Sequence, residues 1–150
     1  MNKEEIKKIL PHREPMLLVE EAELADIPEA EGQGKKAVGR YTVKGDEWFL
    51  QGHFPGNPVV PGVILCEMMA QTCCVLLSES PMGDGADSAA LPMFTGLTNV
   101  KFKRPVKPGD VLTLECTIER VKEPFYFAKG KGSVDGKLCV SGEFSFALVK

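Results

Sequence analysis

GVILCEMMAQTCCVLL, residues 62–77, decides the fold. The run has the length of a helix and is apolar almost all round, which is the pattern of a helix enclosed by protein on most sides. Pro61-Gly62 in front of it is a start signal, because proline is tolerated where backbone N–H groups have no intrahelical partner. The wider apolar stretch from Val59 is interrupted by Pro61, Gly62, Glu67 and Gln71, so it reads as a core helix and no membrane span is expected.

Outward from this helix the chain alternates between strands and shaped loops. On the N-terminal side, Asp46 to Pro61 holds Gly52, Pro55, Gly56, Pro58 and Pro61, a density of fixed and permissive positions that excludes a helix or a central strand. Before it, Met16 to Val19 and Ala37 to Val43 read as strands, separated by the turn-forming stretch Glu29 to Lys36, and Lys3 to Leu10 reads as a short amphipathic helix, either a lid or an edge piece. On the C-terminal side, Pro81 to Pro92 reads as a connector. Strands follow at Leu97 to Phe102, Val111 to Val121, Phe125 to Val134 and Leu138 to Val149. Asp135-Gly136 between the last two is a tight-hairpin signal. One long helix followed by consecutive antiparallel strands predicts an α+β architecture with a sheet wrapped around the helix. Such a sheet leaves edges uncovered, and at least a dimer is expected.

The 150 residues suit one domain, large enough to bury a core without disulfide or metal support. Hydrophobic residues at 43% and charged residues at 26% fit a compact globule, and the net charge of −3 offers no field for a phosphate backbone, so nucleic acid is not an expected partner. Five cysteines, an odd number without a CxxC pair, argue against a disulfide framework or a zinc site and read as reduced apolar side chains. MNKEEIKKIL lacks the features of a secretory signal, and a cytoplasmic location is expected.

The chain has two histidines, His12 and His53. His53 lies in Gln51-Gly52-His53-Phe54-Pro55-Gly56-Asn57-Pro58, where a stiff backbone and a large aromatic suit a preorganised base; the plainer reading is a histidine that fills a turn. Glu67 projects from the apolar helix, where desolvation is expected to raise its pKa toward that of a general acid; the plainer reading is a glutamate facing solvent. Gln71, one turn on, shares that face and is within reach of the Glu67 carboxyl. The Gly62 N–H at the helix start is a donor for a substrate carbonyl oxygen, or Gly62 simply relieves crowding. Met68, Met69, Val75 and Leu76 either line a slot for an apolar ligand or are plain core.

These residues together resemble the FabZ-type β-hydroxyacyl-acyl carrier protein dehydratases. The likeness rests on Leu10-Pro11-His12-Arg13 with Pro15 and Leu17-Leu18-Val19, on QGHFPGNPVVPGV from Gln51 to Val63, and on Glu67 with Ala70-Gln71. It continues in Phe102-Lys103-Arg104-Pro105-Val106 with Pro108-Gly109-Asp110 and in Val134-Asp135-Gly136-Lys137. The resemblance implies a hot-dog fold, His53 and Glu67 as the catalytic pair, and Gly62, Gln71, Phe54 and Val59 around the substrate. Glutamate rather than aspartate at position 67 separates the chain from the FabA branch. The implied reaction is reversible dehydration of a (3R)-hydroxyacyl thioester to the trans-2-enoyl thioester, without a cofactor. The working unit is implied to be a dimer whose two interface sites each combine one subunit's histidine with the other's glutamate, commonly assembled as a trimer of dimers. Lys101, Lys103, Arg104 and Lys107 are then a docking cluster for acidic acyl carrier protein. A hot-dog thioesterase, a dehydratase that also isomerises trans-2 to cis-3 enoyl chains, and a non-catalytic acyl-binding module are the alternatives. Glu14 in place of an aromatic, the variation at Gly32 to Lys36 and the character of Pro81 to Pro92 depart from the family pattern.

Overall fold

In the computed structural model, residues 1–79 and 90–149 are described. The helical elements are α1 (Lys3–Ile6) and α2 (Gly62–Cys74), and the strands are β1 (Glu21–Asp26), β2 (Lys35–Thr42), β3 (Leu91–Phe102), β4 (Val111–Lys122), β5 (Phe125–Val134) and β6 (Lys137–Val149). The strands form one antiparallel sheet in the order β1-β2-β4-β5-β6-β3. The sheet cradles α2, which packs on β4, β5 and β2, giving the hot-dog arrangement expected from the sequence.

Ten of the thirteen residues of α2 are buried, Gln71 and Thr72 among them. Burying an aliphatic side chain contributes roughly 1.5–3 kcal/mol, so this one helix anchors much of the core. Its approach to the sheet is close: a Cβ on Gly130 of β5 would lie 2.8 Å from Cys116 Sγ and 3.3 Å from Met69 Sδ. The helix ends three residues before its apolar pattern does, and Val75–Glu79 continue as a 3₁₀ helix. A tightened last turn satisfies carbonyls that would otherwise lack partners. All five cysteines are buried free thiols.

The hairpin between β5 and β6 has Asp135 and Gly136 both at positive φ, 52° and 76°, as a type I′ turn requires. Several boundaries differ from the sequence reading. Met16 to Val19 is not a strand. Leu17, Leu18 and Val19 are buried, but the Leu18 N–H donates to the side chain of Gln71 on α2, so this segment is a strap across the helix and the first strand starts at Glu21. The N-terminal piece is not peripheral, since Ile6 and Leu10 are fully buried. The expected connector Pro81 to Pro92 lies outside the described residues up to 89, and Leu91 and Pro92 belong to β3, which begins six residues earlier than expected.

β3 pairs with β6 on one side and ends the sheet on the other. Leu91, Met93, Phe94, Leu97 and Phe102 along it are each about half exposed, between 42% and 53%. An edge strand of twelve residues carrying so many exposed apolar side chains is one that chains ordinarily cover. Among the described residues no helix is long and apolar enough to cross a membrane.

Candidate active site

The loop from Asp46 to Pro61 holds His53 by both its backbone and its ring. Val59 N–H donates to the His53 carbonyl at 2.9 Å, and His53 Nδ1 lies 2.9 Å from the Val59 carbonyl oxygen. A carbonyl only accepts, so Nδ1 carries the proton and Nε2 of the neutral ring carries the lone pair. The Phe54 ring stacks on the imidazole with centroids 4.1 Å apart. Phe54 and Val59, expected near the substrate, thus also fix the tautomer and the tilt of the histidine. His53 is partly exposed and Nε2 is the atom that remains to act as a base.

Glu67 occupies the middle of α2 and is half-buried. Its Oε1 accepts from Gln71 Nε2 at 3.0 Å and lies 3.4 Å from His12 Nε2. Gln71 is 1% exposed, and its second amide hydrogen goes to the Met16 carbonyl at 2.7 Å while its Oε1 accepts the Leu18 N–H at 2.8 Å. With both hydrogens engaged, Gln71 ties the strap to the helix and orients Glu67 instead of offering a donor to substrate. The expected rise of the Glu67 pKa is corrected here. The His12 imidazole beside it and the Gln71 amide favour the carboxylate more than burial disfavours it, and hold it below the ordinary 4.5.

His12 is the member of this group that the reading of the residues passed over. The signal was present in the Leu10-Pro11-His12-Arg13 motif, but only the fold shows that the strap lays position 12 beside position 67. The Arg13 guanidinium donates to the carbonyls of Lys7, Leu10 and His12 and pins the strap at this point. A cavity of about 20 Å³ lies against Glu67, lined by His12, Gln71, Cys74, Pro92, Phe94 and Phe146 among others. His53 does not line it, and no hydrogen bond or ion pair joins His53 to Glu67 among the described residues. His53 and Glu67 are thus each held by their own partners, His53 by Val59 and Phe54 and Glu67 by Gln71 and His12.

Gly62 opens α2 behind Pro61, whose carbonyl accepts from Ile64 and Leu65. The Gly62 N–H has no partner among the described residues, as a first-turn N–H should not. Phe102 lies over it: a Cβ at position 62 would be 2.8 Å from Phe102 Cζ, which explains glycine there on packing grounds. Gly62, Phe102, Lys103 and Arg104 share an open groove of about 390 Å³. Lys103 and Arg104 are thereby brought to the helix start, whereas Lys101 stays on β3 and Lys107 sits in the following turn. All four are exposed.

Met68, Met69, Val75 and Leu76 are buried and line none of these cavities, so the expected slot is core in the single chain. A concavity of about 910 Å³ is lined by residues of β2, β3, β4, β5 and β6, with neither His53 nor Glu67 among them. Its Lys36, Lys131 and Glu115 neutralise one another in ion pairs, which marks a solvated face. Among the described residues no cluster of His, Cys, Asp and Glu is placed to hold a metal ion.

Comparison with known proteins places the chain in a family. The family described as FabA-like domain matches residues 10–143. The 3-hydroxyacyl-[acyl-carrier-protein] dehydratase FabZ of Ligilactobacillus salivarius is 42% identical over 144 residues, covering 96% of both chains. The same enzyme of Thermomicrobium roseum is 44% identical over 145 residues, 97% of this chain and 91% of that one. Among solved structures, the dehydratase heterocomplex ApeI:P from Xenorhabdus doucetiae superimposes with a TM-score of 0.73 at 25% identity, over 97% of this chain and 91% of that chain. The chain belongs to the FabA-like family and, within it, to the FabZ-type 3-hydroxyacyl-[acyl-carrier-protein] dehydratases.

Proposed function

We propose that the protein, acting as one domain in the cytoplasm, dehydrates (3R)-hydroxyacyl-acyl carrier protein to the trans-2-enoyl thioester in fatty acid biosynthesis. The observation that carries the reading is a histidine tautomer fixed with its basic nitrogen free, together with an oriented carboxylate on the central helix, in a chain of this family. His53 Nε2 takes a proton from the α-carbon, the Gly62 N–H stabilises charge on the thioester oxygen, and Glu67 gives a proton to the departing β-hydroxyl. Water leaves, and the two residues exchange protonation states. In the hydration direction the roles reverse, and the ionised Glu67 is the form that takes a proton from water. Dehydration needs the protonated carboxyl, and burial beneath substrate and a second subunit is the force that favours it.

The complete site takes its histidine from one protomer and its glutamate from another, a reading supported by the lack of any hydrogen bond or ion pair between His53 and Glu67 among the described residues. The exposed apolar edge of β3 supports a second copy as the covering partner, since a continued sheet would pair its free backbone groups and bury Leu91, Met93 and Leu97. A trimer of such dimers is the proposed full assembly. Lys103 and Arg104, beside Gly62, are the proposed landing point for the acidic carrier protein, supported by Lys101 and Lys107.

The test is hydration of a crotonyl thioester by purified variants. His53→Ala and Glu67→Gln should each fold and lose about 10²–10⁴-fold in kcat. A randomly mixed dimer of the two variants should regain about a quarter of parental activity, because half of the dimers carry one intact site of two. Near-native turnover by either variant alone would reject the assignment, and an inactive mixture would reject the shared site. Thiol release from an acyl thioester in place of hydration would favour the thioesterase.

A further inference from the structure

We propose that His12 is a positioning residue for Glu67: its Nε2–H holds Oε1, jointly with Gln71, and leaves Oε2 as the oxygen that meets the substrate hydroxyl. The inference rests on the assignment of Glu67 above and extends it to the strap.

Three observations converge on it. Both contacts to the carboxylate fall on the same oxygen, Gln71 Nε2 at 3.0 Å and His12 Nε2 at 3.4 Å, and among the described residues none falls on Oε2. The other ring nitrogen, His12 Nδ1, is a buried atom without a hydrogen-bond partner. A buried orphan acceptor is tolerated more often than a buried orphan N–H, so the proton of the neutral ring belongs on Nε2, facing Glu67. The ring therefore has one polar engagement, and it is the carboxylate. Finally, the strap is held rigidly on both sides of His12. Arg13 donates to the His12 carbonyl at 2.7 Å and to the Leu10 carbonyl at 3.0 Å, and Gln71 bonds Met16 and Leu18.

The chemical consequence follows from the occupancy of Oε1. An oxygen that accepts two N–H donors is a poor place for a proton, so the acidic proton of Glu67 resides on Oε2, where it can be passed to a leaving hydroxyl. Without His12 the Gln71 amide is the one donor left on the carboxyl, too little to fix a terminal bond whose own preference is broad and shallow. Two oxygens then compete for both proton and substrate. Besides Glu67, His12 and Cys74 are the titratable groups lining this cavity, and burial and the Glu67 charge push the Cys74 thiol up to about 12, so His12 is the neighbour that governs the carboxyl.

The experiment compares His12→Leu and His12→Gln in the assembled enzyme. His12→Leu should lower kcat about 10–100-fold, the usual cost of removing an orienting partner, with KM for crotonyl thioester within about two-fold. His12→Gln, whose amide reaches the same oxygen, should restore most of the loss. The Glu67 side-chain carboxyl, followed by ¹³C NMR, should titrate at higher pH in His12→Leu than in the parent. Should His12→Leu not fold, His12→Asn takes its place, being as polar as Gln but too short to reach Oε1. Unchanged kcat, an unmoved Glu67 midpoint, or equal behaviour of the short and long amides would overturn the proposal. Failure of the Glu67 assignment would be visible separately, as parental turnover by Glu67→Gln while the NMR midpoint still responds to His12.

Discussion

Replacing Gln71 with leucine keeps side-chain size while removing the hydrogen bonds that tie Met16 and Leu18 of the strap to α2. Three hydrogen bonds disappear: the acceptor for Leu18 N–H at 2.8 Å, the donor to the Met16 carbonyl at 2.7 Å, and the donor to Glu67 Oε1 at 3.0 Å. Leucine can be buried where Gln71 was, so the cost comes from the groups left behind. The bond from the Leu18 N–H to Gln71 is buried, and an unsatisfied buried group costs about 1–3 kcal/mol. The Met16 carbonyl is only partly buried and water recovers some of its bond, so the sum is about 2–4 kcal/mol. For a chain of this length each kcal/mol lowers Tm by about 2–4 °C, which gives a fall of roughly 4–16 °C. Scanning calorimetry at matched protein concentration measures this directly, since dimerisation otherwise shifts Tm by mass action. Crotonyl thioester hydration at a temperature where the variant is folded should fall as well, because Glu67 loses an orienting donor. A Tm within 1 °C of the parent would mean, on the scaling above, that the strap finds other partners and that the tie described here is not what holds it.

Charge reversal of Lys103 and Arg104 to glutamate should raise KM for carrier-bound substrate and leave KM for a short pantetheine thioester unchanged, in steady-state assays at low and high salt. Glu47→Gln should lower stability at neutral pH and flatten its acid dependence in urea titrations. Burial raises the Glu47 pKa, but the N–H groups of Lys44 and Gly45 and the Tyr41 hydroxyl together bring it below the ordinary 4.5. With the folded value below the unfolded one, its contribution is full above about pH 4.5 and is lost as pH falls through the folded value. Gly130→Ala should destabilise by about 1–3 kcal/mol through overpacking against Cys116 and Met69, seen as a lower denaturation midpoint at unchanged slope.

Much of this protein was legible in the order of its residues. The apolar run after Pro61-Gly62 specified a buried helix because no solvent-facing stripe interrupts it, and Asp135-Gly136 specified a hairpin because few other residues accept two successive positive φ values. The motif around His53 was readable for the same reason: prolines and glycines constrain the backbone locally, whatever the rest of the chain does. Alternation and turn chemistry act over a few neighbours, so they survive translation into sequence.

What required the tertiary structure was every relation between distant positions. Met16 to Val19 has strand composition, yet its backbone partner is a glutamine side chain 53 residues away, and no local pattern encodes that. Glu67 was expected to be raised by burial, which is a property of its helix, but it is lowered by His12, which arrives on another segment. Electrostatics and hydrogen bonding depend on separation in space and on what displaces water, and those are fixed only when the strap, the helix and the edge strand have taken their places.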